Sequence, residues 1–178
     1  MKNIKIKDKE FELFIEAEKI ENSIDRVADR INVDLKDKNP LFIVVLNGAF
    51  MFAADLLKKI VIPCEITFVR LASYQGTEST ESVQEILGLT ESVENRTVVI
   101  VEDIIDTGNT LTTLIEELKK QHPREIKIAT LFLKPGALKY NLRPDYVAME
   151  LPSDFIVGYG LDYDGYGRNL TDIYKLKN

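Results

Sequence analysis

VVIVEDIIDTGNT, residues 98–110, passes without a break from an apolar run into a polar turn. The run TVVIV (Thr97 to Val101) is short, β-branched and apolar throughout, the composition of a strand buried on both faces. It delivers Glu102 and Asp103 to its carboxyl end. Successive strand side chains point to opposite faces, so the two carboxylates are not expected to be spent on one salt bridge. Ile104, Ile105, Asp106, Thr107, Gly108, Asn109 and Thr110 then lead into LTTLIEELKK, a helical pattern. A glycine among small and hydroxyl side chains at a helix start makes a phosphate cradle. The first N–H groups have no partner in the helix, its dipole favours an anion, and the missing Cβ lets the backbone approach. The competing reading is that Asp106 or Thr107 caps the helix while the acidic pair is solvated. An acidic pair, an aspartate three residues on and a T-G-x-T turn, all behind one apolar strand, specify more than a lone glycine loop.

Outward from this segment, strand and helix patterns alternate. Ile20, Ile24, Val27, Ala28 and Ile31 share one helical face. LFIVVL (Leu41 to Leu46) reads as a buried strand, broken by Asn47-Gly48 and followed by AFMFAADLLKKI as a helix. EITFVRL (Glu65 to Leu71) and KIATLFL (Lys127 to Leu133) are further strands, the latter ending at Lys134-Pro135-Gly136. Tyr146 to Met149 and Phe155 to Val157 are short ones. This alternation predicts a mostly parallel α/β sheet, with ligands at the carboxyl ends of its strands. Those ends carry Asn47-Gly48, Glu102-Asp103 and Lys134. Between them, Ala72 to Asn95 is polar with few apolar anchors, and reads as a long mobile loop with some weak strand; loops of that length are lids or binding loops.

Composition narrows the class. The chain has 178 residues, 45% hydrophobic and 29% charged, as expected of one globular domain spanning residues 1–178. No apolar run approaches the roughly 20 residues of a membrane span, and the N-terminal segment lacks an apolar signal core. Cys64 is the only cysteine, which excludes an internal disulfide and a cysteine-based zinc site. A cytoplasmic protein without membrane attachment is expected. The net charge of −6 and the lack of a basic patch argue against nucleic acid. A polyanion can still bind where backbone N–H groups, a metal ion and a few cations act locally.

The segment VVIVEDIIDTGNT resembles the phosphoribosyl pyrophosphate signature of type I phosphoribosyltransferases, and most closely that of the hypoxanthine-guanine phosphoribosyltransferases. The resemblance runs through nearly the whole chain. It includes VVLNGAFMFAADLL, the Ser73-Tyr74 pair opening the polar loop, the lysine of LFLKPG, and PDYVAMELPSDFIVGYGLDYDGYGRNL, the stretch that builds the base pocket of 6-oxopurine enzymes. It implies an α/β fold with a mostly parallel twisted sheet flanked by helices and a small hood built from N- and C-terminal segments. The implied activity is purine salvage: Mg²⁺-dependent transfer of the phosphoribosyl group from phosphoribosyl pyrophosphate to N9 of hypoxanthine or guanine, by a homodimer or homotetramer.

The same resemblance implies roles residue by residue. Glu102 and Asp103 lie at the ribose hydroxyls and the metal, with Asp162 the second metal-side carboxylate. Asp106, Thr107, Gly108, Asn109 and Thr110 hold the 5′-phosphate. Asp106 also faces N7 of the purine as proton acceptor. Lys134 donates to the oxygen at purine C6, Phe155 stacks on the base, and Ile156 and Asp162 contact its edge. Asn47, Gly48 and Arg168 take pyrophosphate, and Ser73 and Tyr74 belong to the lid. The family often has lysine where Asn109 stands, and many members have lysine or arginine at Asn47, so anion binding at both positions rests on backbone N–H groups. In the family the peptide before Asn47 can be cis. His122 and Cys64 sit in no motif. Two other classes use related residues. A phosphoribosyl-pyrophosphate-sensing regulator would show a basic face and a degraded base site. A phosphoacceptor signalling domain would put its acidic pair and acceptor aspartate on separate strands, whereas Glu102, Asp103 and Asp106 share one turn.

Overall fold

The structure, a computed structural model, describes residues 3–74 and 83–177. Its centre is a six-stranded sheet in the order β5-β4-β3-β6-β7-β8, formed by β3 (Leu41–Val45), β4 (Glu65–Tyr74), β5 (Val83–Leu87), β6 (Thr97–Ile105), β7 (Glu125–Leu133) and β8 (Tyr146–Glu150). All neighbours are parallel except β5, which runs antiparallel along the edge of β4. The continuous apolar runs follow from burial on both faces. Phe42, Val44, Val99 and Val101 face α1 (Ala17–Asp34) and α2 (Phe50–Leu57). Leu41, Ile43, Val45, Val98 and Ile100 face α3 (Asn109–Lys119), whose Leu111, Leu114 and Leu118 complete that core.

A second, four-stranded antiparallel sheet has the order β1-β2-β10-β9, from β1 (Asn3–Ile6), β2 (Lys9–Ile15), β9 (Ile156–Val157) and β10 (Ile173–Leu176). It joins the two ends of the chain as the expected hood, over a small core of Ile6, Phe11, Val157 and Tyr174.

One expectation needs correction, and another gains detail. Strand β6 does not stop at Val101; it continues through Glu102 and Asp103 to Ile105, paired with β7 up to Ile105↔Leu133. The Ala72 to Asn95 segment carries the expected strand at residues 72–74 and 83–87, and residues 88–95 lie outside any strand. β4 runs on to Tyr74 and pairs with β5 from Arg70↔Leu87 to Tyr74↔Val83, and Val93 is fully buried, with Leu89 packed against the same core. Backbone pairing at 70–74 and 83–87 and the anchors Val93 and Leu89 were not marked by the polar composition. Residues 75–82 lie outside the described residues, as do the side chains of Ser73 and Tyr74.

Candidate active site

The strand order turns back between β3, which leads to β4, and β6, which leads to β7. Side chains at the carboxyl ends of these strands therefore frame a crevice. At the end of β3 the Leu46–Asn47 peptide is cis, and Asn47-Gly48-Ala49 turns into α2. A Cβ on Gly48 would lie 1.5 Å from Asp103 Oδ2. A Cβ on Gly160, whose φ is +97°, would lie 2.1 Å from the Gly48 carbonyl oxygen. Only glycines allow these three segments to meet.

Glu102 and Asp103 are each 8% exposed. Glu102 Oε1 accepts from the Asp103 N–H at 3.3 Å, and Asp103 Oδ1 accepts from the Ile104 N–H at 2.8 Å. Neither has a salt-bridge partner among the described residues. Strand alternation does not keep them apart electrostatically, because Glu102 folds back towards the Asp103 backbone. Burial, then the neighbouring Asp103 carboxylate, pushes Glu102 well above the usual carboxylate range; burial also raises Asp103, although the hydrogen bonds it accepts oppose this.

Gly108, with φ +83°, is the N-cap of α3 and supplies no side-chain cap. Residues Glu102 to Leu111 line a cleft of about 240 Å³ at this helix start. Thr107 Oγ1 accepts from the Asn109 N–H only at 3.4 Å, and Asn109 Oδ1 accepts from the Tyr140 hydroxyl at 2.9 Å. The Asp106 carboxylate does not cap the helix. It receives the Lys134 ammonium, with Nζ 3.1 Å from Oδ2. The sheet dictates this pairing, since Ile105 and Leu133 are register partners and the Lys134 N–H extends the ladder to the Ile105 carbonyl at 3.0 Å. Lys134 is 7% exposed, whereas Asp106 is half exposed.

On the hood side, Phe155 is 46% exposed. Its ring packs edge-on against Tyr163 (centroids 6.0 Å apart, 88° between planes) and 6.4 Å from buried Phe11. The Ile156 side chain is buried and its backbone pairs with Lys175. Asp162 and Arg168 are joined, with Nη2 2.7 Å from Oδ1. Asp162 Oδ2 also accepts from the Gly165 N–H at 2.7 Å, and Arg168 Nη1 donates to the Gly160 carbonyl at 2.7 Å.

Residues 15–164 match the model of the phosphoribosyl transferase domain. The chain belongs to this family. It is 40% identical over 166 residues to a hypoxanthine-guanine phosphoribosyltransferase of Staphylococcus epidermidis, covering 93% of each chain. To that of Streptococcus pyogenes it is 42% identical over 153 residues, covering 85% of each. A crystal structure of a hypoxanthine phosphoribosyltransferase from Staphylococcus aureus superimposes with a TM-score of 0.84 at 36% identity, covering 93% of this chain and 91% of that one.

Within this phosphoribosyltransferase, the crevice brings Asn47-Gly48, Glu102-Asp103 and the turn from Asp106 to Thr110 together, with Lys134 paired to Asp106. Asp162 is engaged with Arg168, and no group of three metal-ligating side chains is assembled among the described residues. The set Glu102, Asp103 and Asp162 is therefore not gathered by the chain alone. Gly160 escaped the sequence reading, although the glycine pair of V-G-Y-G-L, Gly158 and Gly160, was its signal. Strands β1, β2 and β10 were also missed. Phe11, Leu13 and Ile15 recur at every second position, with Glu10 and Glu12 flanking Phe11, and mark β2.

Proposed function

We propose that the chain transfers the 5-phosphoribosyl group of phosphoribosyl pyrophosphate to N9 of hypoxanthine or guanine, giving IMP or GMP and pyrophosphate. The supporting observation is one crevice that holds the acidic pair, an uncapped helix start and a buried lysine. The relatives at about 40% identity carry names for that activity. In this reading the N–H groups of Thr107, Gly108, Asn109 and Thr110 hold the 5′-phosphate. Glu102 and Asp103 orient the ribose hydroxyls, and the Asn47-Gly48 backbone with Arg168 takes pyrophosphate, whose oxygens suit a planar guanidinium. Lys134 donates to the 6-oxo oxygen, Phe155 stacks on the ring, and Ile156 and Asp162 meet its edge. Asp106 accepts the purine proton as the glycosidic bond forms.

The residues present fit Mg²⁺. Glu102 and Asp103 are hard oxygen donors, buried and without a counter-ion among the described residues, and Mg²⁺ commonly completes its shell with substrate oxygens and water. When bound it supplies electrostatic stabilisation to the leaving pyrophosphate. Displacement at the anomeric carbon builds positive charge on the ribose, which the nearby carboxylates stabilise. Ser73 and Tyr74 are read as the start of a lid that excludes water, whose residues 75–82 lie outside the described residues. The protein is read as cytoplasmic and as a homodimer or homotetramer. Ile66 and Phe68, both exposed on β4, support self-association. The deciding assay offers hypoxanthine, guanine and adenine with phosphoribosyl pyrophosphate, with and without Mg²⁺. The two 6-oxopurines should give nucleotide only with metal, and adenine should be poor. No turnover of any 6-oxopurine with metal present would end this reading.

A further inference from the structure

Tyr159 adopts a left-handed backbone conformation (φ +48°) between Gly158 (φ +105°) and Gly160 (φ +97°). A bulky residue takes that conformation rarely and keeps it only where its surroundings hold it there. The backbone holds Tyr159 in part: Gly158 and Leu161 exchange hydrogen bonds at 3.0 Å across the turn, and the Tyr159 N–H donates to the Leu170 carbonyl at 2.8 Å. The side chain adds two further anchors. It is buried in the main core, and its hydroxyl donates to Asp55 Oδ2 on α2. The other Asp55 oxygen receives Lys58 Nζ at 2.6 Å. Burial alone would raise the Asp55 carboxyl, but the hydrogen bonds from Lys58 and Tyr159 bring it below its usual range. Burial and this partner push the Tyr159 phenol upward, so it remains a donor.

What Tyr159 fixes is its neighbour. The Gly160 N–H donates to the Arg168 carbonyl at 2.9 Å, and the Gly160 carbonyl accepts from Arg168 Nη1 at 2.7 Å. The Gly160 α-carbon lies so close to the Gly48 carbonyl that no Cβ fits between them. Asp55 belongs to the helix that starts immediately after Asn47-Gly48-Ala49. One hydrogen bond thus ties that helix to the loop that cradles Arg168.

We infer that Asp55 and Tyr159 are positioning residues for the leaving-group side of the site, fixing the Asn47-Gly48 turn and Arg168 relative to each other. This rests on the function proposed above, in which those groups take pyrophosphate. Neither residue is required to touch substrate. The base side has anchors of its own, Asp106 for Lys134 and Phe11 with Tyr163 for Phe155, so the effect falls on one substrate.

The test compares wild type with Tyr159→Phe, Asp55→Ala, Asp55→Asn and the double variant Tyr159→Phe/Asp55→Ala. Pyrophosphate affinity is measured by calorimetry with Mg²⁺, and KM for phosphoribosyl pyrophosphate and for hypoxanthine by steady-state kinetics. Tyr159→Phe and Asp55→Ala should each weaken pyrophosphate binding and raise KM for phosphoribosyl pyrophosphate roughly tenfold, the lower end for a hydrogen bond to a charged group. KM for hypoxanthine should stay within about twofold. The double variant should be no worse than Asp55→Ala alone, because once Asp55 is gone the Tyr159 hydroxyl has no bond left to lose there. Asp55→Asn keeps an acceptor and should recover most of the affinity. Unchanged pyrophosphate affinity in Tyr159→Phe and Asp55→Ala, or equal losses for both substrates, would overturn the inference alone. A wild-type protein that neither bound pyrophosphate nor turned over would remove the underlying function and the inference with it.

Discussion

Replacing Lys134 by glutamine should shift the choice of base, and the structure sets the size of the effect. Lys134 Nζ lies 3.1 Å from Asp106 Oδ2 in the unliganded crevice. A 6-oxopurine must therefore draw the ammonium from one oxygen to another, and the net gain is a difference between two bonds. A hydrogen bond to a charged group contributes about 1.5–3 kcal/mol. An ion pair with a half-exposed carboxylate is screened by water and worth about 1 kcal/mol or less. With the pair taken at about 1 kcal/mol, the difference is roughly 0.5–2 kcal/mol and predicts a loss of about 2- to 30-fold in kcat/KM for hypoxanthine. Adenine should lose little or gain slightly, because an ammonium only donates and faces the donor protons of a 6-amino group, whereas an amide both donates and accepts. The assay is kcat/KM for hypoxanthine and adenine on the same Lys134→Gln preparation, with thermal melts to confirm folding. A drop of equal size for both bases would show that Lys134 acts on the fold or on phosphate binding, and its assignment to the base would be wrong.

Asp106→Asn should cut turnover by roughly 10²–10⁴-fold with little change in Tm. Asparagine can still accept from Lys134 but is no base, so surviving activity would leave Asp106 only as the partner of Lys134. Gly48→Ala places a Cβ 1.5 Å from Asp103 Oδ2. That carboxylate must leave its hydrogen bond from Ile104, costing about 1.5–3 kcal/mol; unchanged Tm and unchanged KM for phosphoribosyl pyrophosphate would contradict this packing. Glu102→Gln should stabilise the metal-free protein increasingly as pH rises. The folded-state pKa of Glu102 is raised by burial and by Asp103, so the native state keeps a proton that the unfolded chain releases, and stability falls as pH climbs above the ordinary carboxylate range. Melts of both proteins in EDTA between about pH 4 and pH 9 should diverge towards alkaline pH; parallel curves would refute the shift.

The central sheet was legible because its strands are apolar on both faces. Leu41 to Val45 and Thr97 to Val101 have no other stable home than between two layers of helix. The crevice was legible for a related reason: Glu102, Asp103 and Asp106 follow such a strand, so polar groups were assigned to its carboxyl end without knowledge of its partners. What sequence could not give was the pairing of side chains across distant segments. Arg168 with Asp162 and Gly160 against Gly48 depend on how the hood folds over the sheet. The hood strands are short, and each carries only a few buried residues, such as Phe11 in β2 and Val157 in β9. The polar stretch after Leu71 gave only a weak strand signal, and β5 within it pairs with the single neighbour β4 at the sheet edge.

The charge of the crevice has its own logic. Four carboxylates, Glu102, Asp103, Asp106 and Asp162, face two cations, and both cations are already paired, Lys134 with Asp106 and Arg168 with Asp162. A chain of net charge −6 has no diffuse positive field with which to attract a polyphosphate. If Arg168 turns to phosphate oxygens and Lys134 to a base oxygen, Asp162 and Asp106 lose their partners. The helix N–H groups stabilise part of the incoming charge but cannot neutralise the acids. In the function proposed above, charge balance favours joint entry of polyanion and divalent cation, each making the other's binding more favourable. The buried pair fits this account. Burial and the Asp103 carboxylate raise Glu102, and burial raises Asp103 against the hydrogen bonds it accepts, so a divalent cation at this pair would be expected to release protons on binding.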